Sequence, residues 1–516
     1  MVFATVCLLA MLSPVSGDPL WVGTYNGPYD YHDEVHAIGV DDSGNVFVSG
    51  RSYVADDDQE FVTIKYRPAG DTVWRRHFNP GSGLDGATAL AVDRSGNVVV
   101  TGYLGGPTSQ YGDWVTIRYS AAGESLWATA HDEGDEDRAS SVVVDSAGNS
   151  YVIGRAGWLN DLDYVVVKYG LNGSAVWIFR YNSGYNDGAN AVALDKQGYT
   201  YVTGYASPSG KDFDLMTWKL GLGGDSLWAN LYAGPAGCDM QGLAVAADGQ
   251  GNAVVAGRSY DTLTFDDYLT VKYGPGGDTL WTRRYNGPGS RSDQVAGLAV
   301  DDAGNVYVTG TSDVDTLGHY NCATVKYSPD GVQRWVARYS GPRNYDRACG
   351  IALDAEANVY VSGSSVNSSN DWDVVTIKYD SSGNRLWLEQ FDMPSTFDEA
   401  YVMALSRQGI VFAGGRTRND TTGMDYLTLA YGSVGAVKAT PSADLRTPNR
   451  GPIIIRGVLR EPPASDVERD ASSDLLDISG RKVLDLRAGP NDVSALSPGV
   501  YFVRRTSGIS RVMVAR

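Results

Sequence analysis

The sequence predicts an all-β fold, an eight-bladed β-propeller of four-stranded blades followed by a small β-sandwich, and three observations predict it. A Trp, preceded by an apolar residue everywhere but at Trp335, recurs at Trp21, Trp74, Trp127, Trp177, Trp228, Trp281, Trp335 and Trp387, 50 to 54 residues apart. A repeat of that period marks a solenoid, an array or a propeller. Within each unit apolar and polar residues alternate with period two over runs of five to eight residues, and no comparable segment has a helical period. Glycine fills 62 of 516 positions without a collagen period, so tight turns are frequent.

Taken in chain order, residues 2–15 form an uncharged apolar run followed by Ser16 and Gly17, which suits a signal peptide over residues 1–17. The propeller is expected over residues 18–438. Each unit reads approximately W-x-x-x-Y-N-G, then D-x-A-x-A-(L/V)-A-V-D-x-x-G-N-V-Y-V-T-G, then D-Y-V-T-I-K-Y-x-x-x-G-D-x-L-W. A first hairpin turn is led by Asp or Ser and closed by Gly in seven units, with Ala357 in the other. There the Asp side chain accepts backbone N–H bonds while Gly takes a left-handed conformation. A second hairpin carries Gly70, Gly123, Gly173, Gly224, Gly277, Gly331, Gly383 and Gly435. Small residues such as Ala89, Ala91, Ala191 and Ala193 mark the strand that crowds toward the axis. The eighth unit has Ala439 where the next Trp is due, and the missing strand stands at the other end, around Leu20–Tyr25. The first strand is therefore expected to complete the last blade and remove both open edges.

The motifs D-x-x-G-N-V-Y-V-T-G, D-x-x-T-I-K-Y and G-D-x-L-W, repeated over residues 20–435, resemble the bacterial seven-bladed β-propeller repeat (SBBP-type) family. The resemblance implies a secreted or surface-exposed protein with no catalytic residues to carry over. The count here is eight units rather than seven.

Past a linker at residues 439–449 the period ends, and residues 440–516 carry 12 basic and 9 acidic residues in an otherwise acidic chain. Short apolar runs predict a small β-sandwich over residues 450–516. The segments Asp477–Val483, Leu496–Val503 and Arg511–Arg516 resemble the C-terminal sorting domain of the type IX secretion pathway. That resemblance implies engagement with the secretion machinery through residues 450–516, and placement in the medium or on the outer surface of a Gram-negative-type bacterium.

Composition narrows the partners. The net charge of −19 argues against nucleic acid, and no apolar run in the mature chain is long enough to span a membrane. Four Cys make no disulfide framework, and the mature chain's Cys238, Cys322 and Cys349 are expected as free thiols in a monomer. One Asp precedes the innermost strand of every unit: Asp33, Asp85, Asp137, Asp187, Asp239, Asp293, Asp346 and Asp398, with Asp239 shifted by one residue. These are the candidate binding residues. Facing the channel mouth, they would make a ring that attracts cations. The structural alternative is that each caps a loop or pairs with the basic residue of its blade, at Lys65, Arg118, Lys168, Lys219, Lys272, Lys326 or Lys378. That alternative is favoured, because a feature present in every blade serves every blade.

The Trp series is likewise expected to fill space between sheets rather than stack on sugars. The segments Tyr53–Glu60, Leu104–Gly112, Gly157–Leu162, Tyr260–Asp266 and Asp313–Tyr320 vary in length and composition, which makes them the candidate binding loops. Asp56, Asp57 and Asp58 lack the spaced oxygens of a calcium loop, so neither a metal nor another cofactor is assigned, although Ca²⁺ fits the acidic series chemically. Ser328 to Trp335 departs from the sialidase box, and the five His have no metal-ligand spacing. No G-x-S-x-G motif is present. The expectation is a non-enzymatic scaffold for a protein or glycan ligand, with no catalytic residues. The alternative is a secreted hydrolase or quinoprotein-like dehydrogenase working at the channel mouth.

Overall fold

The computed structural model describes residues 19–432, except 57, 82, 106–111, 211, 235–237, 262–264, 316, 394–396 and 420–421, and the backbone of strands between 454 and 514. The expected signal peptide and linker lie outside the described residues. The chain divides into two units, Met1–Val437 and Lys438–Arg516.

The first unit holds eight four-stranded antiparallel sheets. Blade 1 is β2 (Asp33–Val40), β3 (Val46–Ala55), β4 (Asp58–Tyr66) and β5 (Thr72–Phe78), in that spatial order, and blades 2 to 7 repeat it. Blade 8 takes its first three strands from Asp398–Leu405, Val411–Asn419 and Gly423–Tyr431, and its fourth is β1 (Trp21–Tyr25). The register runs from Trp21 opposite Ala430 to Tyr25 opposite Tyr426. The first strand thus closes the ring, as the displaced Trp period required.

Both turn predictions have a local cause. At the first turn Asp41 Oδ1 accepts N–H bonds from Ser43 and Asn45 at 3.0 and 2.8 Å, and Asn45 Nδ2 donates to Oδ2 at 2.7 Å. Ala357, in the position that Gly holds in the other seven blades, is forced to a φ of 59°. At the second turn Gly70 has a φ of +90°, and a Cβ there would stand 2.7 Å from the Trp21 ring. Glycine is required there by both torsion and space.

The Trp series joins blades. Trp21 Nε1 donates to Pro68 O at 3.0 Å, Trp74 to Ala121 O at 3.1 Å and Trp127 to Leu171 O at 3.0 Å. Trp177, Trp228, Trp281 and Trp335 make the same bond to the next blade's second turn. At seven seams among the described residues one Trp therefore seals the contact and satisfies a carbonyl that the hairpin leaves unpaired.

Between the first and second strands every blade carries a β-bulge, as at Val35/Ala37 and Ala348/Gly350. The repeat pattern did not reveal it. Three of the predicted loops are shorter than expected. The ladder continues to Ala55 opposite Asp58, to Trp158 opposite Asp161 and to Asp261 opposite Phe265. These segments are hairpin tips, because alternating residues prolong the strands into the variable region.

The second unit has a five-stranded sheet, in the order Ile454–Ile455, Gly508–Val514, Gly499–Arg505, Ser473–Leu476 and Lys482–Leu486, and a two-stranded sheet of Val458–Glu461 with Gly489–Asp492.

Candidate functional site

Antiparallel neighbours put the start of each first strand, the end of the second, the start of the third and the end of the fourth at one rim of the ring. This connecting rim carries the variable hairpin tips and the acidic series, while both kinds of glycine turn lie at the opposite rim.

The acidic series is folded into the wall. Asp33, Asp85, Asp137, Asp187, Asp293, Asp346 and Asp398 are buried, and Asp239 is half-buried. Each accepts backbone N–H groups. Gly27 donates to Asp33 at 2.5 Å, Gly105 to Asp85 at 3.0 Å, Ser183 to Asp187 at 2.6 Å and Phe213 to Asp239 at 2.8 Å. Gly287, Gly341 and Met393 donate to Asp293, Asp346 and Asp398 in the same way. Asp137 is held on both oxygens, by Glu133 and Gly157. The open cation ring is thereby corrected, since these carboxyls fix the blade connections instead of facing the mouth.

Pairing with the blade's basic residue is corrected as well. The bases reach the turn aspartates at the opposite rim, Arg118 with Asp93 at 2.5 Å, Lys272 with Asp248 at 2.9 Å and Lys378 with Asp354 at 3.3 Å. A base on the third strand cannot reach an Asp at the other end of its own blade.

The true neighbours of the series are further carboxyls. In six blades the Asp that opens the D-x-x-T-I-K-Y motif sits across the seam from the next blade's buried Asp, as Asp113 faces Asp137, Asp163 faces Asp187 and Asp425 faces Asp33, while blade 1 has Glu60 at that position. Burial is the main reason that Asp33, Asp137 and Asp293 are pushed up to about 6 and Asp85 to about 7. In blade 6 the position is Asn321, whose amide, oriented to donate, meets Asp346 at 3.2 Å. At one seam Asp132 joins Asp113 and Asp137, with one oxygen from each within 4.8 Å of the others. Three such oxygens fall short of the roughly six to eight that Ca²⁺ takes. Cys238, Cys322 and Cys349 are free thiols, as expected.

A second series went unnoticed in the sequence. The residue after the Gly of each second strand is Arg51, Tyr103, Arg155, Tyr205, Arg258, Thr311, Ser364 and Arg416 in blades 1 to 8. Opposite them on the first strands stand Glu34, Gly86, Arg138, Gly188, Gln241, Gln294, Arg347 and Glu399. The second-strand arginines of this collar are neutralised. Arg416 meets Glu34 at 2.5 Å and Glu399 at 2.8 Å, Arg51 meets Glu34 at 2.9 Å, and Arg155 meets Glu136 at 2.5 Å. Arg416 thereby ties blade 8 to blade 1. Although burial opposes ionisation, hydrogen bonding to His36 and the two arginines hold the Glu34 carboxyl far below its ordinary range.

Blades 6 and 7 break the collar. With Thr311 in place of Arg or Tyr, a cavity of about 410 Å³ opens in blade 6, lined by Ser292, Gln294, Thr311, Asp313, Tyr320 and Arg347, while Ser364 is buried and accepts from Ala400 N at 3.0 Å. Arg347 is exposed, donates to Tyr320 Oη at 3.1 Å, and lies over the rings of Tyr320 and Trp372 at 5.4 and 5.0 Å. Among the described residues it has no carboxylate at ion-pair distance, unlike the collar arginines. Exposed aromatics crown the same rim: Tyr29, Tyr31, Trp158 (62% exposed), Tyr185 and Phe265. The cavity could be found only by aligning one column of the repeat and noticing where the large residues lapse.

A family model described as a beta-propeller repeat matches residues 280–317, which run from the last strand of blade 5 into blade 6. Among curated proteins, an uncharacterized WD repeat-containing protein of Acanthamoeba polyphaga mimivirus is 22% identical over 207 residues, 30% of this chain and 15% of that protein. The match therefore spans about one seventh of that relative's length. Among solved structures, the WD40 domain of SCAP from fission yeast aligns with a TM-score of 0.44 and 8% identity, covering 80% of this chain and 98% of that one. An ulvan lyase aligns at 0.40 and 12%, covering 71% and 95%, and a puromycin hydrolase at 0.40 and 13%, covering 76% and 62%. These likenesses are of fold alone.

Proposed function

We propose that the chain is an exported, non-enzymatic binding scaffold that holds a protein or glycan ligand on the connecting rim of its propeller. The observation that carries this reading is the division of labour around the ring. The residues repeated in every blade are engaged in the wall, the Trp across seams, the turn Asp within hairpins and the buried Asp on backbone N–H groups. The departures from the repeat gather on one rim, as exposed aromatics and one cavity of ligand size. The acidic body suits neither nucleic acid nor anionic lipid. Residues 1–17 direct entry to the secretory route, and residues 450–516 act as the sorting signal toward the outer surface of a Gram-negative-type bacterium.

The test is truncation after Lys438 in a host that has the type IX pathway. The expected outcome is a folded protein that keeps ligand capture on glycan and protein arrays but is no longer exported. Normal export of the truncated chain refutes the sorting role. Failure of the full chain to capture any array member refutes the scaffold reading.

A further inference from the structure

We propose that the cavity between blades 6 and 7 binds the carboxylate-bearing sugar of an acidic glycan, with Arg347 taking the carboxylate and the hydroxyl and amide side chains of the lining taking the sugar hydroxyls; this rests on the scaffold reading and gives it a ligand class. The repeat itself supplies the first argument. Six of eight collar positions hold Arg or Tyr, and the two lapses, Thr311 and Ser364, are in adjacent blades. Of the two lapses Thr311 lines the recess, beside Arg347 of the next blade, while Ser364 is buried in the wall.

The second argument is the state of Arg347. Its guanidinium is held between the Tyr320 and Trp372 rings and by the Tyr320 hydroxyl, so its orientation is fixed before any ligand arrives. A planar guanidinium without a carboxylate partner offers a bidentate fork to one. The Tyr320 ring is itself set edge-on to Tyr345, with centroids 5.3 Å apart. The third argument is the rest of the lining. Ser292 and Thr311 bring hydroxyls, Gln294 an amide and Asp313 a carboxylate, a set that matches the hydroxyls of a pyranose. The lining offers neither a free sheet edge nor an apolar groove for an extended or helical peptide, which leaves an acidic peptide side chain as the rival that the test must distinguish. The net charge of −19 also disfavours a dense polyanion, so the fit is to a single acidic sugar with hydroxylated neighbours.

The test is calorimetry on the full chain with glucuronic and galacturonic acid disaccharides, their methyl esters, and a short peptide rich in Asp and Glu. Two variants accompany it. Arg347→Gln removes the fork, and Thr311→Arg fills the recess with the side chain that blades 1, 3, 5 and 8 already carry there, so the fold should tolerate it. One uronate should bind per chain, and the ester and both variants should bind about ten- to a hundredfold more weakly, the loss expected for one charged hydrogen-bonded contact. Melting temperatures should be unchanged. Equal affinity for acid and ester overturns the proposal, as does undiminished binding by Thr311→Arg, or capture of the peptide in place of the uronate. If the chain captures other array ligands but no uronate, the scaffold reading stands and this assignment falls. If it captures nothing, both fall.

Discussion

Replacing Trp21 with Ala tests whether the N-terminal strand is truly the last strand of the ring. Trp21 is 6% exposed, packs against Tyr66 and Phe412 at centroid distances of 5.4 and 5.9 Å, and donates to Pro68 O. Its counterpart Trp74, in a blade built from continuous chain, is also 6% exposed, with Phe47 and Tyr119 at 5.9 and 6.1 Å. Truncating a buried Trp costs about 3–5 kcal/mol. The lost indole bond adds little to the cavity cost, because Pro68 is exposed and its carbonyl can be rehydrated. Trp21→Ala and Trp74→Ala should therefore destabilise the full chain by similar amounts. Urea unfolding followed by near-ultraviolet circular dichroism reads the loss as a shift in midpoint at unchanged slope. If Trp21→Ala stays within about 0.5 kcal/mol of the parent while Trp74→Ala loses the full amount, the closing strand is wrong.

The buried carboxyls predict an unusual pH profile. Asp33, Asp137, Asp163, Asp293, Asp373 and Asp425 are pushed up to about 6, and Asp85 to about 7, mainly by burial. An unfolded Asp titrates near about 4, so the folded state binds more protons between about pH 4 and 7, and stability falls as pH rises through that window. Asp145, Asp248 and Asp354 are held low, against the cost of burial, by bonds from their turn Asn and basic partners, and they act in the opposite sense in stronger acid. The melting temperature should peak near about pH 4 and be several degrees lower at pH 8. A flat profile, or one rising toward pH 8, contradicts the burial of these groups. Separately, Ala357→Gly should stabilise the chain by about 1 kcal/mol, because it relieves the left-handed torsion that the other seven blades give to Gly. A loss of stability there would mean that the Ala methyl packs usefully.

The repeat made the scaffold legible because a Trp period, an Asp-led turn and a two-residue alternation are each local signals. Even the closure could be read, since Ala439 stands where Trp is due and the missing strand surrounds Trp21. The destinations of the side chains were not legible. Whether Arg118 reaches Asp85 or Asp93 depends on which rim each strand end occupies, and only the antiparallel order decides that. The facing of Asp163 and Asp187 arises across a seam between two units, so no pattern inside one unit contains it. The cavity was hidden for a further reason. A bulge shifts the register beside the collar, and the signal there is a lapse, Thr311, rather than a motif.

Affinity capture of an acidic glycan mixture on the immobilised full chain, with mass spectrometry of the bound and free pools, tests the scaffold reading most directly. Bound glycans should be recovered intact, enriched in uronate, and largely lost with Thr311→Arg. Shortened, unsaturated or oxidised products accumulating with time would contradict the account, because the connecting rim would then be carrying out chemistry rather than holding a ligand.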